Sequence, residues 1–180
     1  MVKDTALFLI DSTSLFRKTH EAFIGAPLIL DSGRDKTFVY GFLKTLLALR
    51  RDLHINAGIV LISRECCAEG CEEKVKDAAE LTEEIGIPII FENNSSIIDI
   101  CQEYAPNAGA IYSENEALVQ FARQDLCILR GNESKGYEKL HWDTVRRKYG
   151  VAPNRIATFL ALTTGRKDSV ITRNQAVRLI

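Results

Sequence analysis

Short apolar runs alternate with longer amphipathic segments along most of this chain. Residues 6–10, Ala-Leu-Phe-Leu-Ile, form an apolar run that ends at Asp11, as expected of a buried strand with a polar carboxyl end. The same pattern predicts strands at 58–62, 87–91, 110–112 and 126–129, and helices at 36–51, 71–85, 96–104 and 114–124. Strands and helices in this order predict an α/β fold, with a mostly parallel central sheet and helices on both faces.

The alternation covers residues 1–140 and weakens beyond them. Residues 1–140 are therefore expected to form the main α/β domain. A turn is predicted through Gly136, and residues 141–180 are predicted to be short helical pieces. With 180 residues, of which 46% are hydrophobic, the chain is long enough to bury one good core.

Charge and hydropathy exclude some classes of protein. The formal net charge is -1, so no basic tail indicates a nucleic-acid partner, although the 23 Lys and Arg can still cluster on one face. The apolar runs are too short to span a bilayer, and the chain begins almost directly with a strand, which leaves no room for a signal peptide. We therefore expect a cytoplasmic monomer without a membrane partner.

The five cysteines do not follow a metal-binding pattern. Cys66, Cys67 and Cys71 cluster, but no Cys-x-x-Cys pair is present and no His lies nearby at ligand spacing. Reduced thiols are therefore favoured over a zinc site.

Acidic residues follow several of the predicted strands. Asp11 ends the first strand, Asp99 opens the helix after the third, and Glu114 and Glu116 follow the fourth. Ligands of such sheets bind at the carboxyl ends of the strands, and clustered carboxylates there suit Mg²⁺ or Mn²⁺ and two-metal phosphodiester chemistry. Acids are also common as caps and dipole partners at helix starts, and spacing alone favours that interpretation.

Several segments, in order along nearly the whole chain, resemble one known family. They are residues 9–15 (Leu-Ile-Asp-Ser-Thr-Ser-Leu), Gly33 through 39–42 (Val-Tyr-Gly-Phe) and 46–47, 85–88 (Ile-Gly-Ile-Pro), 135–162 with its end Phe-Leu-Ala-Leu, and 174–180. Together they are similar to the 5′-nuclease family, as in the N-terminal 5′-3′ exonuclease domain of bacterial DNA polymerase I. Residues 9–15 look like the family's opening strand and turn. The resemblance implies a PIN-like α/β fold.

The resemblance also implies site residues. Catalytic and metal-ligating roles, with Mg²⁺ or Mn²⁺ as the metal, fall on the acids at family positions: Asp11, Asp99, Glu114, Glu116 and Asp168. Contacts with nucleic acid fall on Arg17, Lys18, Lys36, Arg166, Lys167 and Arg173. Asn174 to Ile180 look like the start of the second helix of a helix-three-turn-helix element, which in the family grips duplex DNA with a bound K⁺. The chain ends inside that element, so a truncated element is expected.

The chain departs from the family mainly where the chemistry is. Ser63 stands where the family has its second acid, Ser96 and Ile98 replace acids of the third-strand motif, and Gly165 replaces one near the end. Glu114 and Glu116 are one methylene longer than the family's Asp residues. Placing a metal requires ligand oxygens within a few tenths of an Å. We therefore predict weak, single-site binding of Mg²⁺ or Mn²⁺.

Two elements that hold DNA in the family are also altered. The segment between Ser63 and Ala79 is too short for the basic arch that covers the 5′ end, and residues 170–173 replace the glycines of the hairpin, which argues against a retained K⁺ site. The resemblance thus implies a 5′-3′ exonuclease or flap-endonuclease-like domain that acts on or binds flap, nicked or 5′-ended DNA. Its hydrolysis is expected to be weakened or lost.

Alternative functions stay open at this point. A catalytically inactive scaffold of the same fold would bind a polymerase or another repair protein instead of cleaving DNA. A DNA-binding form would be associated with the bacterial nucleoid. A nucleotide-binding domain is not favoured, because no Gly-rich phosphate loop follows the first strand.

Overall fold

The predicted α/β fold is confirmed by a computed structural model, which describes residues 7–23, 28–29, 36–66, 71–132, 136–164 and 171–180. In these ranges one sheet has the strand order β3-β2-β1-β4-β5-β6. The first five strands in that order are parallel, and β6 is antiparallel to β5. The strands are β1 (Leu7–Asp11), β2 (Gly58–Ser63), β3 (Ile89–Glu92), β4 (Ala108–Tyr112), β5 (Cys127–Asn132) and β6 (Gly136–Leu140).

Helices connect the strands and cover both faces of the sheet. The α-helices of the described residues are α1 (Ser12–Phe23), α2 (Thr37–Leu53), α3 (Glu72–Glu84), α4 (Ile97–Tyr104), α5 (Trp142–Tyr149), α6 (Ile156–Thr163) and α7 (Arg173–Leu179). Short 3₁₀ helices lie at Arg64–Cys66, Ala105–Asn107, Glu116–Phe121 and Pro153–Arg155. Within the described residues, no helix is both long and apolar enough to cross a membrane.

The strands are apolar on both faces because both faces are covered. Phe8 and Ile10 of β1 lie in a buried cluster with side chains of α1, α2 and α3, such as Phe42. Leu9 points the other way, into a cluster with α4 to α7 that includes Phe159. Successive residues of a strand face opposite sides of the sheet, so a strand buried on both sides must be apolar throughout.

The order of the strands reverses between β1 and β4. The chain builds β1, β2 and β3 outward in one direction and then returns to place β4 on the other side of β1. In the register of this pair, Ile10 lies opposite Tyr112. Open α/β sheets bind ligands in the crevice outside the carboxyl ends of the strands at such a reversal. Asp11, the last residue of β1, lies at this point.

The prediction of a turn after the first strand was wrong, because α1 begins at Ser12 directly after β1. Three hydroxyl residues open this helix and have low helix propensity. Tertiary contacts compensate: Ser12 Oγ donates to the Leu61 carbonyl at 2.6 Å, and Leu15 and Phe16 are buried against α2. The helix therefore forms because its inner face is packed.

Two further differences concern the region after β4. The helix predicted at 114–124 is only a 3₁₀ helix at Glu116–Phe121, with Val119 and Phe121 among residues that favour α-helix weakly. The strand β6 was not predicted, since the sequence analysis placed only a turn through Gly136. Its side chains are largely polar because it is an edge strand, and of its residues only Leu140 is fully buried.

Gly150 is expected to be hard to replace. It ends α5 with φ 78°, and a Cβ there would lie 3.1 Å from Val177 Cγ2 of α7. Gly86 ends α3 with φ 77° but a Cβ there would meet nothing within 4 Å. Gly86→Ala should lower the free energy of unfolding by about 1 kcal/mol through backbone strain alone. Gly150→Ala should cost measurably more in urea denaturation. Equal costs would show that the contact with α7 is not tight.

Candidate functional site

A cavity of about 310 Å³ opens at the reversal of strand order, beyond the carboxyl ends of β1 and β4. Its walls come from the start of α1, the start of α4 and the segment after β4. The lining residues are Asp11, Thr13, Ser14, Arg17, Glu65, Ile97, Glu114, Asn115 and Glu116. The structure thus brings three of the five predicted acids, Asp11, Glu114 and Glu116, to one cavity.

Asp11 lies at the base of this cavity and is only 1% exposed. Its Oδ2 accepts hydrogen bonds from Ser14 Oγ at 2.7 Å and Ser113 Oγ at 2.6 Å, and its Oδ1 accepts from the Thr13 amide at 3.0 Å. Burial raises the pKa of the Asp11 carboxyl, and these hydrogen bonds offset the rise only in part. Three donors of the chain itself therefore already occupy most of the acceptor sites of this carboxylate.

Glu114 is held by a cation and by the backbone of β5. Its Oε1 lies 2.9 Å from Lys18 Nζ and accepts a hydrogen bond from the Gly131 amide at 2.8 Å. Lys18 Nζ also donates to the Tyr112 hydroxyl at 2.6 Å. Partial burial raises the pKa of Glu114, but the bonds from Lys18 and Gly131 and the charges of Lys18 and Arg130 outweigh it, so the pKa is lowered. Glu114 is thus an ionised, paired carboxylate.

Arg130 joins Glu114 to Glu116. Its Nε lies 3.8 Å from Glu114 Oε2, its Nη1 lies 3.6 Å from Glu116 Oε1, and its Nη2 donates to the Glu114 carbonyl at 3.0 Å. Glu116 also accepts a hydrogen bond from the Tyr149 hydroxyl at 3.1 Å. A guanidinium presents several donors in a fixed fork, which allows this one side chain to hold two acids.

Asp99 caps the start of α4 and does not line the cavity. Its Oδ2 accepts hydrogen bonds from the amide and the hydroxyl of Ser96, at 3.1 and 2.6 Å, and Ser96 Oγ in turn accepts from the Asp99 amide. This is a capping box at the start of α4. The hydrogen bonds with Ser96 lower the pKa of Asp99. The acid that does face the cavity from this side is Glu65, which the sequence analysis missed; its Oε2 accepts from the Ile97 amide at 3.1 Å.

Ser63, which stands in place of the family's second acid, is fully buried among hydroxyl and thiol groups. Its Oγ lies 3.5 Å from Thr13 Oγ1 and 3.8 Å from Cys66 Sγ. Ser12 Oγ also lies 3.0 Å from Cys66 Sγ. These small polar groups bond with one another, so the space beneath the cavity is filled by neutral side chains.

The predicted nucleic-acid contacts have different surroundings. Arg17 is exposed and lines the cavity. Lys18 is paired with Glu114, and Lys36 with Asp77 of α3 at 2.6 Å. The Arg173 guanidinium lies over the rings of Tyr149 and Phe159, 5.5 Å from each centroid. Arg166, Lys167 and the predicted ligand Asp168 lie outside the described residues.

The acidic side chains of the described residues do not form a divalent metal site. In the ranges that the structure describes, no group of three or more His, Cys, Asp or Glu residues could hold a metal ion. The reason is visible in the contacts: Asp11 accepts three hydrogen bonds, Glu114 and Glu116 share Arg130, and Asp99 caps α4. A hard cation such as Mg²⁺ needs carboxylate oxygens whose lone pairs are free.

Arg130 and Tyr149 were missed as members of this site. Arg130 directly follows the strand predicted at 126–129, and a charge at the carboxyl end of a buried strand is a signal that was available. Tyr149 gave no such signal, because it is a buried residue that reaches Glu116 from a helix that follows β6.

Similar folds are found among solved nucleases. The bacteriophage T5 D15 protein, co-crystallised with metal ions, has a TM-score of 0.68 and 13% identity, over 97% of this chain and 74% of that one. The catalytic core of Rad2 in complex with DNA substrate has a TM-score of 0.62 and 14% identity, over 97% and 60%. Human GEN1 in complex with Holliday junction DNA has a TM-score of 0.64 and 9% identity, over 97% and 50%.

No protein-family model matches the chain, and no curated protein sequence matches it. The structural neighbours are 5′-exonucleases and flap endonucleases, so the resemblance noted in the sequence is confirmed at the level of the fold. This chain has the 5′-nuclease fold.

Proposed function

We propose that this domain binds flap, nicked or 5′-ended duplex DNA and that its metal-dependent phosphodiester hydrolysis is weakened or lost. The observation that carries the proposal is the bonding of the acidic rim, by which we mean Asp11, Glu114 and Glu116 of the cavity. Asp11 accepts three hydrogen bonds from the chain itself, and Glu114 is paired with Lys18 and Arg130. Two-metal hydrolysis requires such carboxylates to hold the ions that activate water and stabilise the leaving oxygen.

The fold supports the DNA-binding part of the proposal. Rad2 and GEN1, which share it, were solved in complex with DNA. In this chain Arg17 offers a guanidinium at the mouth of the cavity, with no partner shown among the described residues. Arg side chains supply many of the phosphate contacts that position proteins on DNA without reading its sequence. Arg17 is the basic residue of the cavity wall through which we expect phosphate contact.

The proposal includes only weak binding of Mg²⁺ or Mn²⁺. The T5 D15 protein was co-crystallised with metal ions. In this chain Ser63 replaces one acid, and the remaining described acids already have partners. We therefore expect weak binding of Mg²⁺ or Mn²⁺, and we assign no catalytic step to it.

The first experiment scores binding and cleavage on the same substrate. The full chain, purified from a nuclease-deficient host, is mixed with a 5′-labelled flap duplex in Mg²⁺ and separately in Mn²⁺. We expect retention that weakens steeply with salt, because phosphate contacts release counterions. Arg17→Ala should weaken retention by about tenfold, as expected for the loss of a charged phosphate contact. Lys148→Ala, which removes a cation paired with Glu138 outside the cavity, should change retention little.

Cleavage decides the second half of the proposal. We expect product to form no faster in the unchanged protein than in Asp11→Ala. Robust Mg²⁺-dependent cleavage that disappears in Asp11→Ala would overturn the proposal, because it would show a working nuclease.

A protein-interaction scaffold is the second candidate. Phe91 is 46% exposed on β3, which is an edge strand of the sheet. An edge strand presents unpaired backbone amides and carbonyls with which another chain can pair. This candidate, with a polymerase or another repair protein as the partner, would be favoured if the flap duplex were neither cleaved nor retained at low salt.

A further inference from the structure

We infer that Lys18 and Arg130 are resident cations of the acidic rim, and that they occupy the place a divalent ion would need at Glu114 and Glu116. The inference goes beyond the proposed function, since it concerns what neutralises the rim and holds whether or not the domain binds DNA. It gives Lys18 a role different from the phosphate contact expected from the sequence.

The contacts of Glu114 are the first observation. One carboxylate oxygen accepts from Lys18 Nζ at 2.9 Å and from the Gly131 amide at 2.8 Å, and the other faces Arg130 Nε at 3.8 Å. Glu114 and Arg130 are 13% and 18% exposed, whereas Lys18 and Glu116 are 35% and 46% exposed. A divalent ion that approached Glu114 would meet two positive charges, of which Arg130 is the better shielded from water.

The backbone of β5 is shaped to admit the Lys18 ammonium. Gly131 has no side chain, and a Cβ at this position would lie 2.9 Å from Glu114 Oε1 and would collide with Lys18 Nζ. A side chain at this position would therefore require the end of Lys18 and Glu114 Oε1 to shift. The glycine thus leaves room for the amine at the place where it meets Glu114.

Tyr112 fixes the lysine from the other side. Its hydroxyl accepts from Lys18 Nζ at 2.6 Å, and Lys18 Nζ lies 5.2 Å from the centre of its ring. Burial lowers the pKa of Lys18, but the bonds to Tyr112 and Glu114 outweigh burial and raise it, so the lysine keeps its charge. Tyr112 itself is almost fully buried, so the hydroxyl that accepts from Lys18 belongs to a packed side chain.

The charges of the group balance without any metal. Glu114 and Glu116 contribute two negative charges, and Lys18 and Arg130 contribute two positive charges within 4 Å of them. A metal site keeps its carboxylates uncompensated until the ion arrives, because the ion supplies the positive charge. Glu114 and Glu116 are already compensated in this domain.

The test is a titration with Mn²⁺ alone, without DNA, by calorimetry on the full chain. The unchanged protein should bind Mn²⁺ weakly, and Lys18→Met should bind it at least about tenfold more tightly, because Glu114 loses its cation. Lys18→Arg keeps the charge and should behave like the unchanged protein. Lys148→Met breaks another ion pair, 2.7 Å long and outside the cavity, and should also leave Mn²⁺ binding unchanged.

Two further variants keep the result decisive. Lys18→Met combined with Glu114→Gln should lose the gained binding, because the freed carboxylate is the expected ligand. If Lys18→Met does not fold, Gly131→Ala displaces the amine without removing a charge and should also strengthen Mn²⁺ binding. As a second readout, Mn²⁺ should raise the melting temperature of Lys18→Met and not that of the unchanged protein.

The inference is overturned if the unchanged protein already binds Mn²⁺ as tightly as Lys18→Met, or if the gain persists when Glu114 is replaced. These outcomes are separate from those of the flap assay. If the domain retains DNA but binds Mn²⁺ tightly, only the inference about Lys18 and Arg130 fails. If it neither retains DNA nor binds Mn²⁺ tightly, only the proposal of DNA binding fails.

Discussion

Arg130→Met should lower the free energy of unfolding by about 2–3 kcal/mol, because it leaves the largely buried Glu114 carboxylate with one cation fewer. Arg130 also donates to the Glu114 carbonyl and lies 3.6 Å from Glu116 Oε1, so one substitution removes several contacts of the rim. Methionine keeps most of the length and the apolar part of the side chain. The loss therefore reports mainly on charge and hydrogen bonding. Urea denaturation monitored by the fluorescence of Trp142 measures it.

A matched control shows whether burial is the cause. Arg51→Met breaks an ion pair with Asp52 that is shorter, at 2.8 Å, but in which the Arg51 side chain is 77% exposed. Exposed ion pairs contribute little to stability, so Arg51→Met should be nearly neutral. If the two variants lose the same stability, or Arg130→Met loses none, the contacts of Arg130 with Glu114 and Glu116 do not stabilise the fold.

The fold was predictable because its signal is local and repeated. The strands of the parallel sheet were recognisable as short apolar runs, and each of the first four runs is followed by a segment with helical spacing. The polar end of β1 at Asp11 then indicated the edge at which a site would lie. The edge strand β6 was not predicted, because half-exposed strands carry polar residues and show no continuous apolar run. Its first residue, Gly136, indicated only a turn.

The state of the site was less predictable, because its contacts join residues far apart in the sequence. Lys18 lies 96 residues before Glu114, and nothing near either residue shows that they pair. Asp99 is different. The pattern Ser96-x-x-Asp99 is a capping-box signature, which was available from the sequence and explains Asp99 without a metal. Family position favoured a ligand, whereas local chemistry favoured a cap.

Ser63→Asp should cost about 3 kcal/mol of stability at pH 7 relative to Ser63→Asn, although it restores the acid that the family has at this position. Ser63 is 0% exposed, and its hydroxyl lies 3.5 Å from Thr13 Oγ1. The Thr13 amide is bonded to Asp11, whose own pKa is already raised by burial. A second carboxylate would thus be buried near the first, and burial together with like charge raises its pKa by roughly two units or more. Each unit corresponds to about 1.4 kcal/mol.

The sign of the pH dependence separates charge from shape. An aspartate whose pKa is raised in the folded state binds its proton more tightly there than in the unfolded chain. The difference between Ser63→Asp and Ser63→Asn should therefore be small below about pH 4, the unfolded pKa of aspartate, and should grow as pH rises toward the folded pKa. Asparagine has the same shape without the charge, so any cost shared by both variants at every pH is steric. Urea denaturation of both variants at pH 4 and pH 7 measures the two parts. A pair of variants equally stable at pH 7 would mean that the buried position of Ser63 can still accommodate an acid, and the proposed weakening of hydrolysis would then need a cause other than the packing around Ser63.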